Sequence, residues 1–288
     1  MANQAPERFV IKNDFLEVEI KKLGAELCSV KDKQGTEFIW QAEEVWPRHA
    51  PNLFPVIGSM LDLEYVCEGK TYSMPHHGFA RNLDFDMVHQ SEHSIALLLQ
   101  QSEETLKYYP FHFTLLISYT LSENSLKQTF RVINTSDNRM PVSFGGHPAF
   151  NAKPIQDFDV LFSENENRKS NRLEGPYVLD VELDLIQNQK ISLDKNTFDN
   201  DALIFQGLNS KVVTLANKTS NYSVEVDISE FPYLGIWAKP GADYVCIEPW
   251  QGLADFVSHD KKIENKKGII WVEKSKEISK SFTMTFTN

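Results

Sequence analysis

The chain has 288 residues, of which 41% are hydrophobic and 24% charged, and it carries a formal net charge of −11. Diffuse negative charge argues against nucleic acid or an anionic membrane surface as a partner. Its three cysteines form no CxxC pair, and no apolar run is long enough to span a membrane. We therefore expect a cytoplasmic protein with neither a membrane nor a nucleic-acid partner, either a monomer or a homodimer.

Apolar and polar residues alternate from the first segment onward. Leu16, Val18 and Ile20 share one face of DFLEVEI, and this period of two predicts a half-buried strand. The same alternation recurs in AELCSVKD, TEFIWQ, SIALLLQQS, HFTLLISYTL, LKQTFRVINTSD, KVVTLAN, YSVEVDIS and SFTMTFTN. Many short strands at close spacing indicate an all-β fold, an antiparallel sandwich or barrel with few short helices. Because no linker or repeat interrupts the chain, we expect one domain over residues 1–288.

Helical patterns are scarce. Residues 102–110, SEETLKYYP, predict a short helix that Ser102 caps and Pro110 ends. Residues 253–260, LADFVSHD, are a weaker candidate for a second helix. Residues 151–200 are polar and form the least regular part of the chain, and we expect this part to be rich in loops.

The histidine spacing in HQSEH does not favour a metal site. His89 and His93 would bring their ring nitrogens together only on a helix, whereas the surrounding residues predict a hairpin. We therefore expect two solvated histidines and no metal. The chain also contains no GxSxG, GxGxxG or P-loop pattern, so we expect neither a serine nucleophile nor a nucleotide cofactor.

The segment SMPHHGFARNLDF carries a local reversal of charge. Pro75 and Gly78 predict a bend, and His76, His77 and Arg81 would crowd at the start of the strand that follows. These three potential cations indicate either a binding site or a loop with exposed basic side chains.

The segment YLGIWAKPGADYVCIEPWQG predicts a hairpin around a type II turn at Pro240 and Gly241. The expected register places Trp237 opposite Tyr244, Gly235 opposite Cys246, and Tyr233 opposite Glu248. One face would then be aliphatic, and the other would carry aromatic rings with a single carboxylate. Such a face suits a sugar, whose C–H surface stacks on aromatic rings; the alternative is an aromatic face packed under a loop.

Taken together, several motifs resemble one family, the aldose 1-epimerases (galactose mutarotases), and specifically its LacX-like branch. The motifs, in chain order, are RHAPNLFPVIGS, HHGFAR, FGGHPAFN, NDALIF and LGIWAKPGADYVCIEPWQG. The resemblance implies a large antiparallel β-sandwich with a sugar site in a shallow cleft. It also implies a small-molecule sugar as the substrate, with the α and β anomers of a free aldohexose interconverted without a cofactor.

Roles carry over from the family by matching motifs. His147 in GGHPAF matches the general acid that protonates the ring oxygen, and Glu248 in IEPW matches the general base that acts on the C1 hydroxyl. His77 matches a second histidine near the ring oxygen, and Asp201 matches an aspartate that grips sugar hydroxyls. The further expected substrate contacts are Arg48, Arg81 and Trp237.

Two expectations concern the catalytic pair directly. We expect the His147 imidazole and the Glu248 carboxylate to lie roughly 5–8 Å apart, which would leave room for a reacting atom between them. We also expect Glu248 to be ionised and to favour the charged form of His147. Ser59 departs from the family pattern, since the branch usually has an arginine at this position.

Other functions are compatible with the same residues. A hexose-6-phosphate 1-epimerase would need a compact cationic pocket, to which His76, His77 and Arg81 could contribute. A carbohydrate-binding or sugar-sensing protein without turnover would not need both His147 and Glu248. A structural or adaptor role would instead predict an exposed apolar patch.

Overall fold

The computed structural model describes residues 7–288, and their strands form two large antiparallel sheets with smaller sheets around them. The larger sheet has nine strands in the order β17-β14-β19-β20-β24-β10-β9-β8-β7. Its strands are β7 (Asp86–Gln90), β8 (Ser94–Gln100), β9 (Phe113–Ser122), β10 (Ser125–Asn134), β14 (Phe158–Phe162), β17 (Lys190–Ser192), β19 (Val212–Asn217), β20 (Ser223–Asp227) and β24 (Glu277–Thr287).

The second sheet has eight strands in the order β16-β15-β18-β21-β22-β12-β4, with β13 paired to β22 beside that path. Its strands are β4 (Asn52–Leu53), β12 (Gly145–Gly146), β13 (Ala149–Asn151), β15 (Ser170–Glu174), β16 (Tyr177–Leu183), β18 (Leu203–Gln206), β21 (Tyr233–Trp237) and β22 (Tyr244–Trp250). This sheet supplies most of the strands that surround the candidate site.

Three smaller sheets and a few short helices complete the structure. The strands are β1 (Arg8–Lys12), β2 (Leu16–Lys21) and β3 (Leu27–Asp32) in one sheet, β5 (Glu64–Cys67) and β6 (Lys70–Ser73) in another, and β11 (Met140–Val142) and β23 (Ile270–Val272) in the third. The helices are α1 (Glu103–Tyr108) and the 3-10 turns Leu61–Leu63, Ala80–Asn82, Ile155–Asp157 and Ile263–Asn265. Within residues 7–288, no helix is long and apolar enough to cross a membrane.

The two large sheets bury a shared aromatic core. Phe130 of β10 packs 5.5 Å from Phe144, which directly precedes β12, and Phe162 of β14 packs 5.9 Å from Phe205 of β18. This packing confirms the predicted antiparallel β-sandwich, since each sheet contributes one apolar face to the same interior.

Local patterns gave correct predictions where burial alternates strictly. Leu16, Val18 and Ile20 are buried on one face of β2, as the period of two predicts. The predicted helix is also present, since the Ser102 hydroxyl caps α1 by accepting from the Thr105 N–H at 3.3 Å.

One of the local predictions is wrong. Residues 253–260 form a turn and an isolated bridge instead of a helix, and Phe256 pairs there with Val178 of β16. Residues 151–200 are rich in loops as expected, but they also contain strands β14 to β17. The sequence did not predict the tight hairpin in which Gly175 and Pro176 connect β15 to β16.

The predicted hairpin register is wrong by two residues. The turn forms, with the Ala242 N–H donating to the Lys239 carbonyl at 3.0 Å, but Tyr244 pairs with Asn151 of β13. The observed partners are Trp237 with Cys246, Gly235 with Glu248, and Tyr233 with Trp250. Because the shift is an even number of residues, the aromatic face with its carboxylate is preserved.

Candidate active site

A cavity of about 600 Å³ opens on the aromatic face of β21 and β22, within the usual size range of small-molecule sites. All seven residues singled out from the sequence as catalytic or substrate-binding line it, namely Arg48, His77, Arg81, His147, Asp201, Trp237 and Glu248. The geometry therefore brings together residues from six separate stretches of the chain.

The glycines before His147 allow the backbone to approach the neighbouring strand closely. Gly145 pairs with Trp250 of β22 on one side and Leu53 of β4 on the other. A Cβ added at Gly145 would lie 2.4 Å from the carbonyl oxygen of Pro249, a contact that no side chain can accept. The absence of a side chain at this position lets the chain pass beside β22 and places His147 against the face that carries Glu248.

His147 and Glu248 are in direct contact inside the cavity. The His147 Nε2 lies 3.1 Å from the Glu248 Oε2, and the two residues are 8% and 1% exposed. The expected separation of roughly 5–8 Å is therefore wrong for this structure. The two atoms approach without the alignment of a hydrogen bond, and the Glu248 Oε2 has no hydrogen-bond partner among residues 7–288.

Burial keeps both members of the pair neutral. Burial, together with the positive charges of Arg81 and Arg48, lowers the pKa of His147 to about 3. Burial also raises the pKa of Glu248 well above its usual value, and the nearby Asp201 carboxylate adds to the shift. Both shifts run against the expectation of an ionised Glu248 beside a charged His147, because removal from water disfavours the charged form of each group.

A reciprocal backbone contact fixes His77. The Gly58 N–H donates to the His77 Nδ1 at 3.0 Å, and the His77 N–H donates to the Gly58 carbonyl at 2.8 Å. Since Nδ1 accepts a hydrogen bond, the ring proton of neutral His77 resides on Nε2. Burial lowers the pKa of His77 well below its usual value, so the side chain is a neutral N–H donor.

Asp201 and Trp237 lie on other walls of the cavity. Asp201 is exposed, holds a left-handed backbone with φ of 72°, and accepts from the Ala202 N–H at 2.8 Å. The Trp237 ring meets the His147 imidazole edge to face, with centroids 5.9 Å apart. A carboxylate and an indole in these positions offer one hydrogen-bond acceptor and one apolar surface to a ligand.

The sequence did not predict two tryptophans of the site, Trp46 and Trp250. Trp46 stacks on the His147 imidazole, with centroids 5.2 Å apart and planes at 23°, and its carbonyl accepts from the Trp40 Nε1 at 2.9 Å. It precedes Pro47 in a segment outside any strand, so no periodicity signals its position. Trp250 lies on the same face of β22 as Glu248, and extending the alternation by two residues would have identified it.

The basic residues of the cavity are held by neighbouring polar groups. The Arg81 Nη2 donates to the His76 carbonyl at 2.8 Å, and the Arg48 Nη2 donates to the Asn82 Oδ1 at 3.0 Å. Ser59, the departure from the family pattern, is buried, with its hydroxyl 2.7 Å from the His76 Nδ1. The serine therefore orients the His76 ring.

Four buried polar atoms of the cavity have no hydrogen-bond partner within residues 7–288. They are the Arg81 Nε, the His147 Nδ1, the Glu248 Oε2 and the Trp250 Nε1. Buried polar atoms are normally paired, because an unpaired one costs about 1–3 kcal/mol. Their concentration in one cavity indicates a site built for a polar ligand.

One group of side chains has metal-ligating potential. The ligand atoms of His147, Cys246 and Glu248 lie within 4.8 Å of one another. Burial raises the pKa of Cys246 well above its usual value, and a protonated thiol is a poor metal ligand. That the protein needs no metal stays a prediction.

The fold is that of the galactose mutarotase-like proteins. A galactose mutarotase related enzyme from Lactobacillus acidophilus superposes with a TM-score of 0.93 at 36% identity, over 98% of both chains. A galactose mutarotase-like protein from Lactobacillus casei superposes with a TM-score of 0.92 at 29% identity, over 98% of this chain and 100% of the other.

The chain belongs to the aldose 1-epimerase family. The family model described as aldose 1-epimerase matches residues 7–281. Two LacX proteins of Lactococcus lactis subsp. lactis, one encoded on a plasmid and one on the chromosome, are each 32% identical over 96% of this chain and 99% of their own length.

Proposed function

We propose that the protein is an aldose 1-epimerase, which interconverts the α and β anomers of an aldose by general acid–base ring opening. One observation carries the proposal: a buried imidazole and a buried carboxyl group lie 3.1 Å apart in the cavity, at His147 and Glu248. Mutarotation needs one group to take the proton of the C1 hydroxyl and another to give a proton to the ring oxygen.

His147 and Glu248 together hold one proton throughout the reaction. It resides on His147 before the ring opens and on Glu248 afterwards, so the same pair catalyses ring opening and ring closure. In the reactive form, the His147 imidazolium gives its proton to the ring oxygen while the Glu248 carboxylate takes the proton of the C1 hydroxyl. The C1–ring oxygen bond breaks, the open-chain aldehyde forms, and the pair becomes neutral imidazole and carboxylic acid. Rotation about C1–C2 and reversal of the two transfers close the ring as the other anomer.

The pKa shifts favour the open-chain stage of this cycle. Burial lowers the pKa of His147 to about 3 and raises that of Glu248, so the neutral pair is the preferred form in the empty cavity. That neutral pair is the one present after ring opening. The same environment makes imidazolium a strong acid and carboxylate a strong base once the sugar hydroxyls replace water around them.

The remaining cavity residues supply orientation in this proposal. The His77 Nε2–H, fixed by the Gly58 contact, donates to the sugar near its ring oxygen. Asp201 accepts from sugar hydroxyls, and Trp237 provides an apolar surface for the C–H face of the ring. A positioned reactant lowers the barrier because its orientation is set before the chemical step.

Sugar binding without turnover is the alternative. Binding alone gains nothing from burying a carboxyl and an imidazole together, and burying such groups costs stability. A sensor would bind an aldose tightly and leave its rate of anomer exchange unchanged.

Polarimetry on freshly dissolved α-glucose and α-galactose tests the proposal. The protein is expected to accelerate the drift to equilibrium rotation in proportion to its concentration. A His147→Asn/Glu248→Gln double variant with parent-like circular dichroism is expected to leave only the uncatalysed rate. A double variant that retains the parent rate would reject the assignment of the acid and the base.

A further inference from the structure

Two glycines on the strands beside β22 leave room for the Trp250 ring. A Cβ added at Gly235 of β21 would lie 2.5 Å from the Trp250 Cη2, and a Cβ added at Gly145 of β12 would lie 2.9 Å from the Trp250 Cδ1. Both distances are shorter than real side-chain contacts. Because β21 and β12 flank β22 on opposite sides, the indole lies across these strands with backbone against both of its edges.

The indole N–H of Trp250 is a buried donor without an acceptor. Trp250 is 5% exposed, and its Nε1 has no hydrogen-bond partner within residues 7–288. The ring packs in an apolar cluster with Leu53, Ile57 and Leu253, whose side chains cannot accept a hydrogen bond. A buried tryptophan normally has a partner for this N–H. Since Trp250 also lines the cavity, its acceptor is expected among the polar groups there.

Glu248 is the acceptor that matches this donor. Its side chain leaves β22 on the same face as Trp250, two residues earlier. Its Oε2 is also buried without a partner in the part of the chain that the structure describes. Burial and the charge of Asp201 raise the pKa of Glu248, whereas the Trp250 N–H opposes this increase. The donor therefore acts on this carboxyl group, although Nε1 and Oε2 do not meet as an aligned hydrogen bond.

The proposed reaction needs the form of Glu248 that burial disfavours. A carboxylate must be present when the C1 hydroxyl loses its proton, whereas the raised pKa of Glu248 makes the carboxylic acid the preferred form. A hydrogen bond to the charged form lowers the free energy of that form. Such bonds are stronger to an anion than to a neutral acceptor, particularly in a site that excludes water. The indole N–H therefore contributes most when Glu248 is ionised.

We propose that Trp250 is a positioning residue that acts through Glu248. Its indole N–H donates to the Glu248 carboxylate in the reactive form of the catalytic pair, and it fixes one carboxylate oxygen while the other accepts the C1 proton. Trp250 transfers no proton, and its Nε1 makes no contact with the sugar. This inference rests on the proposed epimerase function and adds a residue that supports its general base.

The pH dependence of the rate distinguishes this role from a structural one. Other titratable groups that face Glu248 are His147, Asp201, Tyr244 and Cys246. Burial raises the pKa of Tyr244 and of Cys246 above their usual values, so both stay protonated around neutral pH. The upper limb of the pH–rate profile therefore reports loss of the single proton that His147 and Glu248 hold. Without the Trp250 N–H, the carboxylate is less stable, so the pKa of Glu248 rises and this limb moves to higher pH.

Removal of the N–H with and without a change in ring shape tests the inference. Trp250→Phe removes the donor, and benzothienylalanine introduced at position 250 by amber suppression keeps the shape of the indole with sulfur in place of N–H. Anomer exchange of glucose is followed by NMR across a range of pH. In both proteins, kcat/KM near neutral pH is expected to fall by about 3- to 30-fold, because the carboxylate keeps part of its charge in the transition state. KM is expected to change by less than about threefold, and the upper limb to move to higher pH by at least about 1 unit.

Trp271 provides the matched control. It lies in β23 with Arg139 4.2 Å from its ring, and it does not line the cavity. Benzothienylalanine at position 271 is expected to change neither kcat/KM nor the pH–rate profile. Carbon-13 NMR on protein labelled at glutamate carboxyl groups measures the pKa of Glu248 without any sugar, and Glu248→Gln identifies the signal. Benzothienylalanine at position 250 is expected to raise that pKa by at least about 1 unit.

The possible contrary results have different meanings. A higher KM with an unmoved upper limb would overturn the inference and assign the Trp250 N–H to a sugar hydroxyl. A lower rate with unchanged KM and an unmoved limb would make Trp250 a purely structural residue. If the parent protein epimerises no sugar, the proposed function fails, and the NMR titration still decides the contact: an unchanged pKa of Glu248 would overturn it. If Trp250→Phe does not fold, the analogue with the shape of indole carries the test.

Discussion

Glu248→Gln should slow catalysis and stabilise the protein at neutral pH. The substitution keeps the shape of the side chain but removes the group that takes the C1 proton, so kcat/KM should fall by about 10²–10⁴. This loss corresponds to about 3–5 kcal/mol on the barrier. Glu248 is 1% exposed and its oxygen Oε2 has no hydrogen-bond partner among residues 7–288, so an ionised carboxylate has little to stabilise it.

The sign of the stability effect follows from the raised pKa of Glu248. Above the unfolded pKa, the folded state holds a proton that the unfolded state has released, so parent stability falls as the pH rises through this range. Glutamine has no such dependence. The advantage of Glu248→Gln in free energy of unfolding should therefore grow by at least about 1 kcal/mol between pH 5 and pH 8.

Urea denaturation at both pH values, with polarimetry on the same samples, measures the two effects. Glu225→Gln is the matched control, because Glu225 is an exposed residue of β20 in the nine-stranded sheet. A variant whose relative stability falls between pH 5 and pH 8 would show that the folded protein stabilises an ionised Glu248. If Glu248→Gln leaves the rate of anomer exchange unchanged, Glu248 is not a catalytic residue.

Further predictions concern the support of the site and the fold. Trp46→Leu removes the ring that stacks on His147. The lost cation–π contact with the imidazolium is worth about 0.5–2 kcal/mol, so anomer exchange should slow by about 2- to 30-fold. The pH–rate profile should also shift. Trp46→Phe should retain most of the rate. Lys266→Met leaves the buried Asp255 carboxylate without its 2.9 Å partner and should cost about 3–5 kcal/mol in urea denaturation. Gly145→Ala forces a methyl group against the β22 backbone. It should lower the free energy of unfolding by about 1–3 kcal/mol, and therefore lower Tm.

Each of these has a clear contrary result. If Trp46→Leu and Trp46→Phe have the same rate and pH profile, the stacked ring does not act on the acid. If Lys266→Met is as stable as the parent, the Asp255 carboxylate is satisfied by other contacts. If Gly145→Ala has the same Tm as the parent, the close approach of β12 to β22 is not required for stability.

The sequence predicts strands well where burial has a period of two. Leu16, Val18 and Ile20 of β2 fulfil that condition, whereas every residue of β22, the strand that carries Glu248, is buried. The register of β21 with β22 could not be predicted, because the chain between the paired residues Trp237 and Cys246 is longer than the turn that Pro240 and Gly241 signal. The length of that connection leaves no local signal.

The members of the candidate site were easier to predict than its geometry and charge. Motifs identify His147 and Glu248, but their 3.1 Å contact depends on how closely β12 approaches β22. Their neutral forms depend on burial, which outweighs the attraction between opposite charges only when the site is assembled. Trp46 was missed because it reaches His147 from a segment without regular structure.

The most direct test of the account is a double-mutant cycle on anomer exchange, measured by NMR at saturating and subsaturating sugar. Two groups that share one proton act as a unit, so His147→Asn, Glu248→Gln and the double variant should all lose kcat/KM to within a few-fold of one another. If the two single losses multiply in the double variant, the residues act independently, and the shared-proton account is wrong.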